Sequence, residues 1–228
     1  MKVSLIAARL SGFSGQNYSL GRTLVKINHR IVLILALVSL VAVGSRVASA
    51  QAADVYKVNY FSNNFPVSPG IATPLAVLGP DGTVRISNPG LTYGNLCAMI
   101  YVFDQDQQMA ECCGCVETHN GLRTLSVRSN LMSNPLTGVI SNNGVIKVVS
   151  AAVNNSPCDP SANVAPKPNL RVWVTHLQNP VGGAFPITET ESSDSTLGAT
   201  ELANLQAQCS FIHILGSGQG ICSCGTGD

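Results

Sequence analysis

Between Leu96 and Val127 apolar residues recur with a period of two, the clearest such alternation in the chain. A period of two sends alternate side chains to opposite faces of a strand, so the pattern predicts strands rather than a helix. It resolves into a three-strand meander: Leu96 to Asp104, Gln108 to Glu117, and Leu122 to Arg128. Val55 to Phe65 opens the exported part, and within it VYKVNYF, Val55 to Phe61, reads as an edge strand; Thr83 to Ser87, Gly144 to Val153 and Leu170 to Leu177 read as further strands. Gly79-Pro80-Asp81-Gly82, Asn88-Pro89-Gly90 and Asn120-Gly121 supply turn residues between them. Pro66 to Leu78 holds three prolines, which confine it to an extended or edge course, and Asn154 to Asn169 is a proline-rich loop carrying Cys158.

After Gly198 the period changes. Leu202, Leu205, Cys209 and Ile212 follow helical spacing and predict an amphipathic helix from Ala199 to about Ile214. Gly198 precedes it, Glu201 lies in its first turn and Gly216 ends it. Short strands with punctuated turns followed by one helix point to a mainly β fold. The expected form is an antiparallel β-sandwich, immunoglobulin-like or similar, over about 51–195, with the helix and a cysteine-bearing tail over about 196–228.

The first fifty residues have a different character. Lys2, Arg9, Arg22, Lys26 and Arg30 occur with no acidic residue, then Ile31 to Val43 form an apolar run of 13 broken only by Ser39, and Ala48-Ser49-Ala50 follows. Basic region, apolar region and small-residue site in that order specify a signal peptide, 1–50, and the apolar run is short for a membrane span. Residues 51–228 then form a single exported domain, secreted or periplasmic, long enough for one full core. It carries all twelve acidic residues against seven basic ones, a net charge of −5. No clustered basic face remains for nucleic acid, nor charge for membrane binding once the leader is removed.

All eight cysteines lie in this part: Cys97, Cys112, Cys113, Cys115, Cys158, Cys209, Cys222 and Cys224. An even count in an exported chain predicts a structural disulfide framework, with 105 connectivities open to eight cysteines. The hairpin narrows them. With its turn at Gln105, Asp106 and Gln107, paired residue numbers add to about 212, which sets Cys97 opposite Cys115 or, two residues off, Cys113. Cys112 then faces the other way, toward a distant partner such as Cys158. A glycine-rich return brings Cys222 or Cys224 to Cys209, and the other tail cysteine to whichever of Cys113 and Cys115 is left. A bulge near Gly114 would upset this parity.

Other chemistry is weaker. Cys112-Cys113-Gly114-Cys115 contains a C-x-x-C spacing but follows a strand, without the helix N-terminus that activates a redox thiol. The same thiols with Cys222-Ser223-Cys224, and with His119 in reach, form an alternative soft-metal site. His119 sits on an Asn-Gly turn, His176 on a strand beside Trp173, and His213 near a helix end; none has a nucleophile signature beside it. Asp104, Asp106 and Glu111 lack the spacing of a calcium loop, and Glu189, Glu191 and Asp194 read as a solvated loop before the helix. Gly216-Ser217-Gly218-Gln219-Gly220 lacks the lysine of a phosphate loop. The sequence therefore predicts no catalytic, cofactor or metal residues. It predicts a disulfide-stabilised, non-enzymatic surface, binding or structural module facing an extracellular partner of unknown chemistry. The alternatives are a thiol-based soft-metal-binding protein and, behind it, a thiol–disulfide redox enzyme.

Overall fold

A computed structural model describes residues 52–63, 80–91, 94–154, 157–162, 164–178, 181 and 184–225. The expected signal peptide, 1–50, and the Pro66 to Leu78 segment lie outside the described residues. The elements are β1 (Ala52–Ser62), β2 (Thr83–Ser87), β3 (Leu96–Asp104), β4 (Met109–Glu117), β5 (Leu122–Ser126), β6 (Asn143–Ala152), β7 (Arg171–Leu177), β8 (Ile187–Glu191), β9 (Ser193–Leu197) and α1 (Ala199–Leu215). One π-helical turn, Val127–Leu131, follows β5 and truncates the strand expected to reach Arg128.

The strands join in a single mainly antiparallel sheet of nine, curled nearly into a barrel, in the order β4-β3-β6-β1-β7-β2-β5, with β8 on β7 and β9 on β1. Among the described residues this one sheet stands where two stacked sheets were expected, as in an immunoglobulin-like sandwich. The meander is also divided: β3 and β4 pair, but β5 leaves β4 and pairs with β2. β1 is no edge strand, since β6 flanks one side and β9 the other. The acidic stretch expected as loop forms β8 and β9, a polar extended run that crosses from β7 to β1. Its side chains are mostly exposed, so no apolar alternation announced it.

Two apolar clusters use the two faces of this sheet. Inside the curl lie Phe61, Val84, Ile86, Leu96, Ile100, Leu125, Ile146, Leu170 and Val172, drawn from β1 through β7 and the residue before it. Outside β3, β6 and β1, Met99, Tyr101 and Val149 meet Leu205, Cys209 and Ile212 of α1. β3 is therefore covered on both faces, which is why its core reads as near-continuous apolar residues. Gly198 precedes α1 in extended conformation and Gly216 ends it in the left-handed region, where a residue without Cβ pays least strain. Lys147 of β6 donates to Glu201 at 2.7 Å and Tyr56 of β1 donates to the same oxygen at 2.8 Å, pinning the first turn of α1.

Candidate functional site: the braced hairpin and the groove beside it

The β3–β4 hairpin owes its side-chain facing to one extra residue. At the turn Phe103 opposes Met109, and these numbers add to 212, as the turn length requires. Ala110 is then inserted as a bulge, and every pair from Val102–Glu111 to Leu96–Glu117 adds to 213. Because side chains alternate, a shift of one reverses the facing of everything beyond it. Cys97 consequently opposes Val116, not Cys113 or Cys115. The bulge sits at Ala110 rather than Gly114. Gly114 stays in register, and its missing side chain makes room for the Cys158 carbonyl, which a Cβ there would strike.

The corrected facing explains all four disulfides. Cys97 and Cys112 turn to the outer face, where Cys97 bonds Cys158 and Cys112 bonds Cys209 of α1. Cys113 and Cys115 turn inward and bond Cys222 and Cys224. The Cα separations, 5.5, 5.9, 5.2 and 5.5 Å, fall in the range a disulfide spans. The cross-strand bond expected for Cys97, the Cys112–Cys158 pair and the return of the tail onto Cys209 are all replaced. The link from tail to hairpin is present, and doubly so.

The tail also seals the outer edge of β4. Cys112 N–H donates to the Gly220 carbonyl at 2.8 Å, Cys222 N–H donates to the Cys112 carbonyl at 3.2 Å, and Leu136 N–H donates to the Ala110 carbonyl at 2.9 Å. Arg123 reaches over from β5: its Nη2 donates to the Val116 carbonyl at 2.9 Å, its Nη1 to the Cys224 carbonyl at 2.6 Å, and its Nε to Glu117 at 2.8 Å. An unpaired strand edge is a template for association, and here its groups are taken in turn by loop, tail and guanidinium.

Glu111 is fully buried beneath this seam. One oxygen accepts the Asn134 N–H at 2.6 Å and the other has no partner. Burial raises its pKa to about 7, against the opposing pull of that N–H. Asn134 in turn accepts the Gly220 N–H at 2.6 Å, so the carboxyl supports the loop that supports the tail.

The remaining candidates are held apart. Asp104 and Asp106 stay at the exposed turn, where Asp104 Oδ1 accepts the N–H groups of Asp106 and Gln108, while Glu111 points into the interior. His119 is exposed and bonds Asn120 at 2.8 Å. His176 is buried, stacks on Tyr60 at 3.9 Å between ring centroids, and meets Thr190 Oγ1 at 2.7 Å. Burial lowers its pKa. His213 lies 3.9 Å from the Cys209 sulfur, already in a disulfide. Glu189, Glu191 and Asp194 pair with Arg85, Arg171 and Lys57. The Lys57 ammonium, by bonding Asp54, holds that carboxyl below its usual range.

Sequence reasoning missed a groove of about 450 Å³ between α1 and the hairpin, lined by Gln108, Met109, Leu136, Thr137, Gln208 and Phe211 among others. Phe211, Ile214 and Leu215 form a second apolar stripe on α1, largely exposed, beside the buried stripe of Leu205, Cys209 and Ile212. The spacing 211, 214, 215 was the available signal; the buried stripe drew attention from it.

No family model, curated protein or solved structure matches the chain. Eight cysteines in four disulfides fit an oxidising environment. No helix among the described residues is long and apolar enough to cross a membrane.

Proposed function

We propose that the protein is an exported, non-enzymatic binding module that takes an uncharged apolar polypeptide segment in the groove between α1 and the β3–β4 hairpin. The observation that carries this reading is exposed Phe211, which lines that groove and is continued along the helix by exposed Ile214 and Leu215. A helix with apolar residues on two faces hides only one of them here, and a contiguous exposed apolar patch marks an interaction site. The groove lining carries no ionisable side chain, so a charged segment would lose its hydration without gaining a counter-charge. Its walls are braced by the Cys112–Cys209 bond, which fixes α1 to β4 and lowers the ordering cost of binding. Export rests on the order of basic residues, apolar run and Ala48-Ser49-Ala50, with cleavage after Ala50 and an exported chain, 51–228, that begins at Gln51. A non-enzymatic role is supported by the engagement of every cysteine in a disulfide.

The test is selection of displayed random peptides on the oxidised chain from Gln51. Apolar, uncharged peptides should be enriched, and Phe211→Glu should abolish their binding while leaving the melting temperature near wild type. Enrichment of charged peptides, or binding indifferent to Phe211→Glu, overturns the reading. N-terminal sequencing of exported material checks the cleavage site.

A further inference from the structure

We propose that Cys113, Cys115, Cys222 and Cys224 form a tetrathiolate site for Zn²⁺ when their two disulfides are reduced. The two C-x-C pairs are matched, since both bonds span 109 residues and so join the strand and the tail in step. Alternation along an extended chain sends residues two apart to the same side, which lets both sulfurs of each pair reach one ion. The sulfurs of Cys113, Cys115 and Cys224 already lie within 4.8 Å of one another, and that of Cys222 is bonded to Cys113. A tetrahedral ion with Zn–S bonds of about 2.3 Å holds its sulfurs about 3.8 Å apart, so small side-chain rotations suffice.

The gathering of these residues does not depend on the sulfur–sulfur bonds alone. Backbone bonds fix Gly220 and Cys222 to Cys112, Ser223 N–H donates to the Asn130 carbonyl at 2.8 Å, and Arg123 holds the Cys224 carbonyl. Cys113, Cys115 and Cys222 are buried, which limits access of competing water. By contrast Cys112, Cys209 and His213 also cluster but offer only three donors, on the other face of β4.

The two states exclude one another, because each sulfur bonds either its partner or the ion. A dithiol supplies the change: each protein disulfide takes two electrons and two protons from one dithiol, which closes to its own disulfide. Two dithiols yield four protein thiols, and the ion displaces the four thiol protons as it binds. This inference goes beyond the groove, whose test uses only the oxidised chain.

The experiment reduces the chain from Gln51 without oxygen, removes the reductant and titrates Co²⁺ as a spectroscopic stand-in for Zn²⁺. One equivalent per chain should produce the visible bands of a tetrahedral tetrathiolate, and Zn²⁺ should bleach them. Cys222→Ser with Cys224→Ser should lose the bands, while Cys97→Ser with Cys158→Ser should keep them, its bridge being open in either chain. In parallel, Zn²⁺ should protect Cys113, Cys115, Cys222 and Cys224 from alkylation relative to the metal-free reduced chain, read by peptide mass. Failure to take up one equivalent, uptake unchanged by the tail substitutions, or no selective protection overturns the proposal. A reduced chain that loses its sheet and binds nothing overturns it as well.

Discussion

The outer edge of β4 and the seam between β1 and β7, which meet directly only at Ser62 and His176, are closed by opposite means. At β4 the closing element is a glycine-rich tail that contributes few apolar side chains, and two disulfides with a buried guanidinium hold it. At β7 and β1 the closing element is the β8–β9 run, which pairs continuously with β7, pairs with β1 across one irregularity, and adds exposed charge pairs, Arg85–Glu189 and Arg171–Glu191. The comparison teaches that a segment with a ladder needs little from its side chains, whereas one with only scattered backbone bonds must be tied covalently. Exposed pairs contribute about 0–1 kcal/mol each, whereas a disulfide closing a loop near 100 residues contributes up to about 5 kcal/mol.

The largest expected effect is therefore on the tail. Replacing Cys113, Cys115, Cys222 and Cys224 together by Ser should destabilise the chain by about 5 kcal/mol or more, measured by denaturant unfolding. Removing only Cys115 and Cys224 should cost about 2 kcal/mol, because the neighbouring bond still closes the 109-residue loop. A loss from this one pair that reaches half of the four-cysteine loss would show that the two bonds do not share one loop entropy.

Arg123→Met should come next, at about 3–5 kcal/mol, since it removes the guanidinium from the fully buried Glu117 beside the tail. A loss below about 1 kcal/mol would place this guanidinium with the exposed pairs across the molecule and erase the contrast.

Glu111 sharpens the comparison through pH. Its folded pKa, raised from 4.5 to about 7, means that the native chain holds a proton the unfolded chain has released. The stabilisation is fully present below about pH 4.5 and is lost as pH rises toward 7, by an amount on the order of 2 kcal/mol. Glu111→Gln should flatten stability across that window, as read from melting temperature against pH. A slope unchanged in the variant would assign it to other groups.

The smallest effect belongs to the β8–β9 run: Arg85→Ala should shift stability by less than about 1 kcal/mol, and less still in high salt. A larger loss would mean that β8 depends on its charges after all.

What was legible in the sequence follows the same divide. β2, β3, β4 and α1 could be read because their burial leaves an apolar period, and Gly198 and Gly216 marked the helix ends. β8 and β9 could not, because Thr188, Glu189, Thr190 and Glu191 pair through their backbones while facing solvent. The sandwich expectation failed for a related reason: alternation tells which side chains are covered, and a curled single sheet covers them as two sheets would. The cystine pairs failed on one residue. Nothing in Met109-Ala110-Glu111 announces a bulge, yet Ala110 reverses the facing of Cys112, Cys113 and Cys115. The groove beside Phe211 is a tertiary product of α1 meeting the hairpin, and only the helix half of it was written locally.

The spans of the four disulfides set a schedule for oxidation. Synthesis delivers Cys97, Cys112, Cys113 and Cys115 together, but Cys158 follows Cys97 by 61 residues and the other partners follow theirs by 97 to 109. During that interval four thiols within nineteen positions have only one another for company, and neighbours that meet first close first. Any pair closed in that interval has to reopen by thiol–disulfide exchange before the native set can form, and such reshuffling takes seconds to hours depending on oxidant and isomerase. Oxidation withheld until the tail is present spares the chain that detour.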